Sequence, residues 1–289
     1  MIWPPTPEPA LALADESLLE IPAAFLHEKG VIRLHEEAGA DIHKLVTQLL
    51  DDEYTKPFVI DDGRVKRLHF SLALVQSEMR TSEPGELHLA YTRAMMAFLL
   101  LKPQPRHVVI VGLGGGSLTK FCHRHLPRTR ITTVELSPDV IAFRNEFALP
   151  PDDERHRVVC QDAAEYFATT EEAPDVVLLD GYDDEGIAPS FANASFYENL
   201  ATSLAPRGLL VCNIAQKTAD SEGHLALLRE AFGEVLLMAV PEDGNRIAFA
   251  FTDPLPRPDP TRVKREARAL AERTGLDFAA FAQNLRPAR

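Results

Sequence analysis

Residues 107–117 read HVVIVGLGGGS, and this stretch decides the fold. The run from Val108 to Val111 is continuously apolar, which is typical of a parallel strand that is buried on both faces. The glycines that begin at Gly112 allow a sharp turn, and a helical pattern then continues to Leu126. This strand, turn and helix indicate a nucleotide-binding α/β sheet, although a packing turn in any α/β protein gives the same pattern.

The alternation of strand and helix repeats along the chain after the glycine turn. The predicted strands are residues 107–111, 131–135, 157–160, 175–180, 209–214, 235–240 and 247–251. The predicted helices between them are residues 138–148, 163–169, 193–204 and 223–232. Because the last two strands flank Asp243-Gly244, we expect them to form a hairpin. The pattern predicts an α/β fold with a doubly wound, mostly parallel seven-stranded sheet and one antiparallel strand.

The residues before the glycine turn follow a different pattern. Short β-like runs and an Asp-Gly turn in residues 31–85 predict a small, mostly antiparallel β domain, within which residues 41–50 are either strand or helix. Residues 1–30 are predicted as an N-terminal tail, partly helical in its Ala/Leu-rich part, residues 11–26. Residues 86–254 are predicted to form the α/β domain, which begins with a helix at 86–102, and residues 255–289 are predicted to form a C-terminal helical tail.

Composition limits the function classes. The net charge is −13, with 43 acids against 30 bases, so binding to nucleic acid or to an anionic membrane is not expected. The same charge suits a small cationic substrate, although solubility explains it equally well. The N-terminus lacks the pattern of a signal peptide and no apolar run approaches the length of a membrane span, so we expect a cytoplasmic protein.

Three separated cysteines indicate free thiols in a reducing compartment. Cys122, Cys160 and Cys212 show no metal-binding spacing, so no metal site is predicted. Cys160 and Cys212 lie in apolar runs, and we expect both thiols to be buried.

Three acids end successive predicted strands. Glu135 follows the glycines by about 20 residues, where an acid accepts hydrogen bonds from ribose hydroxyls, although it also suits a cap before Pro138. Asp162 suits either an adenine amine or the N-cap of the helix that begins at Ala163. Asp180 ends an apolar strand at the edge where open α/β sheets place their active sites. Its carboxylate is suited to hold an amine, take its proton and oppose a sulfonium.

The sheet ends in a hairpin rather than in a second mononucleotide-binding half. This ending argues against a dinucleotide enzyme and favours an adenosyl ligand with a reactive sulfonium. The acidic loop after Asp180 includes Asp183 and Asp184, which a solvated rim would also explain.

Five segments resemble the spermidine synthase (polyamine aminopropyltransferase) family. They are VIVGLGGGSL at 109–118, TTVELSPDVI at 132–141, QDAAEYF at 161–167, VVLLDGYDDEG at 176–186 and FYENLATSLAPRGLLVCNI at 196–214. The resemblance covers roughly residues 57–252 and includes the small β domain before the sheet. It implies the class I methyltransferase-like fold, an S-adenosylmethionine-type co-substrate and a homodimer.

The resemblance also implies a role for each matching residue. Asp180 resembles the acid that deprotonates the attacking amine, and Asp183 resembles the acid that holds the polyamine. Tyr91 and Gln76 resemble residues that flank the place where the aminopropyl and amine groups meet. The implied donor-binding residues are Gly112, Gly114, Gly116, Glu135 for the ribose, and Asp162 with Ala163 for the adenine.

Two departures from the family leave the reaction open. The family's glycine turn carries an acid for the propylamine of the donor, and we assign its place to Gly115. A Tyr-His-Glu run is replaced by Tyr91-Thr92-Arg93. The preferred hypothesis is aminopropyl transfer from decarboxylated S-adenosylmethionine to a small cationic amine. The second is methyl transfer from S-adenosylmethionine, with Arg93 as partner of the donor carboxylate, and the third is a non-catalytic adenosyl-binding protein.

Overall fold

A computed structural model describes residues 16–183, 186–187, 189–215, 221–254 and 259–288, with the backbone alone at residues 16, 182–183, 186–187 and 189. The chain forms two main sheets, a five-stranded antiparallel N-terminal sheet and an eight-stranded mixed sheet. A two-stranded ribbon, β10 (Tyr182–Asp183) with β11 (Gly186–Ile187), lies between the fourth and fifth strands of the large sheet in chain order.

The N-terminal sheet has its strands in sequence order. They are β1 (Glu16–Pro22), β2 (Val31–Glu37), β3 (Phe58–Asp61), β4 (Val65–Ser71) and β5 (Leu74–Arg80). Helix α1 (Ile42–Leu50), capped by the Asp41 carboxylate, packs Leu45 and Leu49 against the buried side chains of this sheet. The predicted strands of this region are confirmed, and the choice left open for residues 41–50 is resolved as a helix.

The N-terminal prediction is wrong at its second half. Residues 16–22 form strand β1 rather than helix or tail, and residues 23–26 form a short 3₁₀ turn. The strand pairs along its whole length with β2, with Ile21 opposite Ile32, and both side chains are buried. Tertiary pairing has therefore overridden the helical propensity of this segment. Residues 1–15 lie outside the described residues.

The large sheet contains the seven predicted strands and one more. The strands are β6 (His107–Val111), β7 (Arg130–Glu135), β8 (His156–Cys160), β9 (Val176–Leu179), β12 (Leu209–Ala215), β13 (Glu234–Val240), β14 (Asn245–Phe251) and β15 (Arg286–Pro287). Their order is β15-β13-β14-β12-β9-β6-β7-β8. Strand β14 is antiparallel to both of its neighbours, as the predicted hairpin requires. The added strand β15 pairs with β13 at the edge.

Helices cover both faces of the large sheet. One face carries α2 (Ala90–Met95), α3 (Phe98–Leu101), α4 (Ser117–His125), α9 (Pro260–Thr274) and α10 (Phe278–Asn284). The other face carries α6 (Ala163–Thr169), α7 (Ala194–Ser203) and α8 (Ser221–Phe232), and α5 (Pro138–Ala142) follows β7. Residues 95–99 are all fully buried. The single helix predicted at 86–102 is two short helices, and their junction is buried all round, whereas a surface helix exposes one face.

The cysteine prediction is partly wrong. Cys122 and Cys212 are buried free thiols, but Cys160 is exposed. Cys160 is the last residue of β8, which is the edge strand of the sheet and lacks a neighbour on one side. An apolar run alone does not distinguish an edge strand from a central one.

The N-terminal sheet docks onto the segment after α5. Val59, Leu68 and Met79 pack with Phe143 and Phe147 in one buried cluster. Beside this cluster, the Glu146 carboxylate lies 2.9 Å from Arg33 Nη1 and 2.6 Å from Lys66 Nζ. These contacts place β5 directly against the glycine turn.

We expect Glu146→Gln to lower the free energy of unfolding by about 1–2 kcal/mol, because the partly buried Arg33 and Lys66 lose a shared partner. Urea unfolding followed by circular dichroism measures the change, with the exposed Glu198→Gln on α7 as the matched control. Equal stability of the two variants would show that the ion pairs contribute nothing to docking.

Candidate active site

A cleft of ≈ 910 Å³ opens at the carboxyl ends of the parallel strands. One wall comes from β4 and β5 of the N-terminal sheet, and the other comes from the ends of β6, β7, β9 and β12. Strand β6 has β7 on one side and β9 on the other, so the strand order reverses at this point. Open α/β sheets bind their ligands at such switch points.

The glycine turn forms the floor of the cleft. Gly112 has φ +91°, and a Cβ there would lie 2.3 Å from the backbone oxygen of Asp180. Gly114 also has positive φ and lines the cleft, where a Cβ would lie 3.6 Å from the Ser77 Cβ. Gly116 caps α4 and packs against Leu149, away from the described lining of the cleft.

The place assigned to the missing turn acid, Gly115, is crowded in this chain. A Cβ on Gly115 would lie 2.7 Å from Ser77 Oγ and 2.9 Å from the Phe147 ring. Gly115 is absent from the described cleft lining, which includes Gly114, but the φ of +49° at Gly114 would strain any side chain there. The assignment of the missing acid to Gly115 therefore stays a prediction from the resemblance.

Glu135 joins the end of β7 to the glycine turn. Its Oε2 accepts a hydrogen bond from the backbone N–H of Leu113 at 2.8 Å, and its Oε1 accepts one from Ser137 at 2.9 Å. Burial raises the pKa of this carboxyl, and the backbone donors act in the opposite direction. The carboxylate is thus held in a fixed position at the edge of the cleft.

Asp162 caps helix α6. Its Oδ1 accepts hydrogen bonds from the backbone N–H groups of Ala164 at 2.7 Å and Glu165 at 3.3 Å. The capping interpretation is therefore confirmed, and it leaves the residue available to a ligand because both Asp162 and Ala163 line the cleft.

Asp180 lies at the base of the cleft, immediately after β9. Burial raises the pKa of its carboxyl to about 6, while hydrogen bonds from the Asn213 and Tyr91 side chains act to lower it. Asn213 Nδ2 lies 2.9 Å from Asp180 Oδ1. Asn245 Nδ2 in turn lies 2.9 Å from Asn213 Oδ1. Neither asparagine was predicted from the sequence, although Asn213 is a polar residue within the buried strand LLVCNIA.

Tyr91 is held by a residue far away in sequence. Its backbone N–H donates to Asp243 Oδ2 at 2.6 Å, and Asp243 belongs to the turn between β13 and β14. The N-cap residue of α2, Leu89, makes no capping hydrogen bond of its own. Asp243 therefore caps the first turn of α2 and fixes the residue whose side chain reaches Asp180.

Of the remaining predicted site residues, some are among the described residues that line the cleft and others are not. Gln76 lines the cleft from β5, as expected. The side chains of Asp183 and Asp184 lie outside the described residues. The Arg93 guanidinium donates to the backbone oxygens of Leu87 and His88 at 3.0 and 2.6 Å, and Arg93 is not among the described residues that line the cleft.

The described lining of the cleft is acidic. It contains the carboxyl groups of Glu135, Asp162 and Asp180 and, within the described residues, no lysine, arginine or histidine. The described part of the chain contains no cluster of three potential metal ligands and no helix long and apolar enough to cross a membrane. The cleft therefore offers negative charge and hydrogen-bond acceptors to a cationic ligand.

Comparison with known proteins gives consistent results. The family model described as spermine/spermidine synthase domain matches residues 88–235. A polyamine aminopropyltransferase of Neisseria meningitidis serogroup A is 34% identical over 223 residues, which are 76% of this chain and 85% of that protein. A second, from Chromobacterium violaceum, is 30% identical over 79% of this chain and 88% of that protein. The crystal structure of a probable spermidine synthase from Corynebacterium glutamicum shares the fold, with a TM-score of 0.61, 21% identity, and coverage of 78% of this chain and 90% of that one.

The buried carboxyl of Asp180 predicts a pH-dependent stability difference. Its pKa is about 6 in the folded protein against 3.8 for an ordinary Asp. The folded state therefore binds more protons than the unfolded state between these values, and the wild type loses stability as the pH rises through this window. Asp180→Asn lacks the carboxyl, so its stability relative to wild type should increase by about 2 kcal/mol between pH 4 and pH 7. Urea unfolding at both pH values measures this, and a constant difference would contradict the raised pKa.

Proposed function

Because the chain belongs to the spermine/spermidine synthase domain family, we propose that it transfers an aminopropyl group from decarboxylated S-adenosylmethionine to a small di- or polyamine. The observation that carries this choice is the charge of the cleft, whose described lining has three carboxyl groups and no cationic side chain. Both the sulfonium donor and an amine acceptor are cations, so each suits such a cleft.

The same charge pattern favours the decarboxylated donor over S-adenosylmethionine. The carboxylate of S-adenosylmethionine would need a cationic partner in a partly dehydrated site, because an unpaired charge there is costly. The candidate for that partner was Arg93, whose guanidinium is engaged with two backbone oxygens. The decarboxylated donor presents only a sulfonium and an ammonium, which need acids.

We assign the donor to the side of the cleft formed by the glycine turn. In this proposal Glu135 accepts hydrogen bonds from the ribose hydroxyls, and Asp162 with Ala163 contacts the adenine. Gly112 and Gly114 let the backbone approach the ligand closely, and Gly116 supports the turn through its packing on Leu149. Gln76 and Tyr91 flank the aminopropyl arm, since both line the cleft beside Asp180.

The reaction is an in-line displacement at the carbon next to the sulfonium. The lone pair of the acceptor amine forms the new C–N bond, the C–S bond breaks, and its electrons neutralise the sulfur of the leaving methylthioadenosine. Because the acceptor binds as an ammonium, this lone pair is available only after the ammonium has lost a proton to Asp180, which needs to be ionised when the acceptor binds. Asp183 is proposed to hold the far end of the acceptor. Positioning and deprotonation supply most of the catalysis.

The alternative is methyl transfer from S-adenosylmethionine. It is favoured by one feature, the absence of a carboxylate at Gly115, which is the position of the glycine turn assigned to the family's acid. A non-catalytic adenosyl-binding protein is the third possibility, but it gives no role to the buried Asp180. The cytoplasmic location and the homodimer stay predictions of the sequence analysis and the resemblance.

We expect 5′-methylthioadenosine and decarboxylated S-adenosylmethionine to raise the melting temperature, because a ligand that binds only the folded state stabilises it. Glu135→Ala should lose most of this shift. A larger shift with decarboxylated S-adenosylmethionine than with S-adenosylmethionine supports aminopropyl transfer. The reverse order supports methyl transfer, and an unchanged melting temperature with every ligand supports neither reaction.

Asp180→Asn should keep the fold and most donor binding, yet lower turnover about 10²-fold or more, which is the scale of a lost general base. Asp183→Asn should weaken acceptor affinity more than turnover. The acceptor is first identified by screening amines with both donors, and initial rates are then measured for each variant. Normal turnover by Asp180→Asn would exclude Asp180 as the base.

A further inference from the structure

Three side chains connect the base of the cleft to the turn between β13 and β14. Asp180, Asn213 and Asn245 lie in a row, with 2.9 Å between each adjacent pair of polar atoms. Beyond the last of them, the second polar atom of the Asn245 amide lies 3.2 Å from the backbone oxygen of Asp243 and 3.3 Å from that of Gly244. The row therefore runs from a titratable carboxyl to two fixed carbonyl groups.

The carbonyl end of the row imposes a direction on its hydrogen bonds. A backbone oxygen only accepts, so it favours the NH₂ side of the Asn245 amide. The oxygen of Asn245 then faces Asn213, which presents its own NH₂ group to that oxygen. The oxygen of Asn213 is left facing Asp180, and this contact is a hydrogen bond only when Asp180 carries a proton.

The opposite direction belongs to ionised Asp180. The carboxylate only accepts, so Asn213 Nδ2 donates to it and Asn245 Nδ2 donates to Asn213 Oδ1. The Asn245 oxygen then faces the two backbone oxygens of the turn, which is repulsive and leaves those acceptors without this donor. Ionisation of Asp180 thus carries a cost at the far end of the row.

We propose that Asn245 is a positioning residue that raises the proton affinity of Asp180. It acts through Asn213, and the carbonyl groups of the β13–β14 turn favour the orientation of the Asn245 amide that this effect requires. The inference rests on the proposed function, in which Asp180 accepts the proton of the acceptor amine. A carboxyl with higher proton affinity is the stronger base for that step.

Other groups that face Asp180 act independently of this row. The Tyr91 side chain donates a hydrogen bond to the carboxylate and favours its ionised form. The neighbouring Cys212 thiol has its pKa raised to about 12 by burial and by the charge of Asp180, so it stays neutral. Tyr91 is itself held by Asp243 through its backbone N–H. The same turn therefore acts on Asp180 through two routes of opposite sign.

The test is a titration of the Asp180 carboxyl in the free protein by infrared difference spectroscopy, with its band assigned by loss in Asp180→Asn. Asn245→Ala removes the link to the turn carbonyls and leaves Asn213 able to donate to the carboxylate. We expect the titration midpoint to fall by about one pH unit, a tenfold loss of proton affinity. Glu242→Gln, an exposed change in the same turn, should leave the midpoint unchanged. An unchanged or higher midpoint in Asn245→Ala would overturn the proposal.

A second pair of variants separates this role from general loosening of the turn. Asp243→Ala keeps the backbone carbonyl groups but releases Tyr91, so the midpoint should rise or stay where it is. A fall in Asp243→Ala as large as in Asn245→Ala would overturn the proposal. Asn245→Ser replaces Asn245→Ala if the latter fails to fold, as judged from melting temperature, and is expected to shift the midpoint in the same direction.

The titration also separates this inference from the proposed function. If the wild type transfers no aminopropyl group but Asn245→Ala lowers the midpoint, the role of Asn245 is supported and the proposed function is refuted. If the wild type is active and Asn245→Ala leaves the midpoint unchanged, the proposed function is supported and the role of Asn245 is refuted. Where both hold, the acid limb of the kcat/KM profile should shift to lower pH together with the midpoint.

Discussion

The close approach of β6 and β9 at their carboxyl ends is the constraint on which the site depends. Gly112 has no room for a side chain because the backbone oxygen of Asp180 occupies that space. This contact brings the glycine turn and the acid at the end of β9 to the same point of the sheet. Glu135 then fixes the turn from the other side through the backbone N–H of Leu113. The glycine turn and Asp180 therefore line the same cleft.

The N-terminal sheet forms one wall of the cleft. Its strand β5 places Ser77 beside Gly114 and contributes Gln76 to the cleft. The docking contacts are the apolar cluster around Phe143, whose members Leu68 and Leu113 also line the cleft, and the ion pairs of Glu146. A loss of docking would remove one wall of the cleft while leaving the three acids of the large sheet in place, so the proposed binding of the donor and that of the acceptor need not respond equally.

Local pattern predicted most of the fold and the three strand-end acids, because strand burial, glycine turns and helix caps are encoded within a few residues. The errors concern contacts between distant residues. The pairing of β1 with β2 converted a helix-prone segment into a strand, and the edge position of β8 exposed Cys160. Asp243 and Tyr91 are 152 residues apart in sequence, so no local pattern indicates that one caps the helix of the other.

Burial has opposite effects on the two groups that exchange a proton in the proposed reaction. An exposed primary ammonium has a pKa near 10.4, like lysine, whereas the pKa of Asp180 is about 6. This gap corresponds to about 6 kcal/mol against transfer of the proton to the carboxylate. Desolvation lowers the pKa of an ammonium and raises that of a carboxyl, so enclosing both in the cleft narrows the gap from both sides. The apolar strand β9 that precedes Asp180 thus contributes to the chemistry as well as to the fold. The pKa of an exposed acid would differ more from the pKa of the acceptor ammonium.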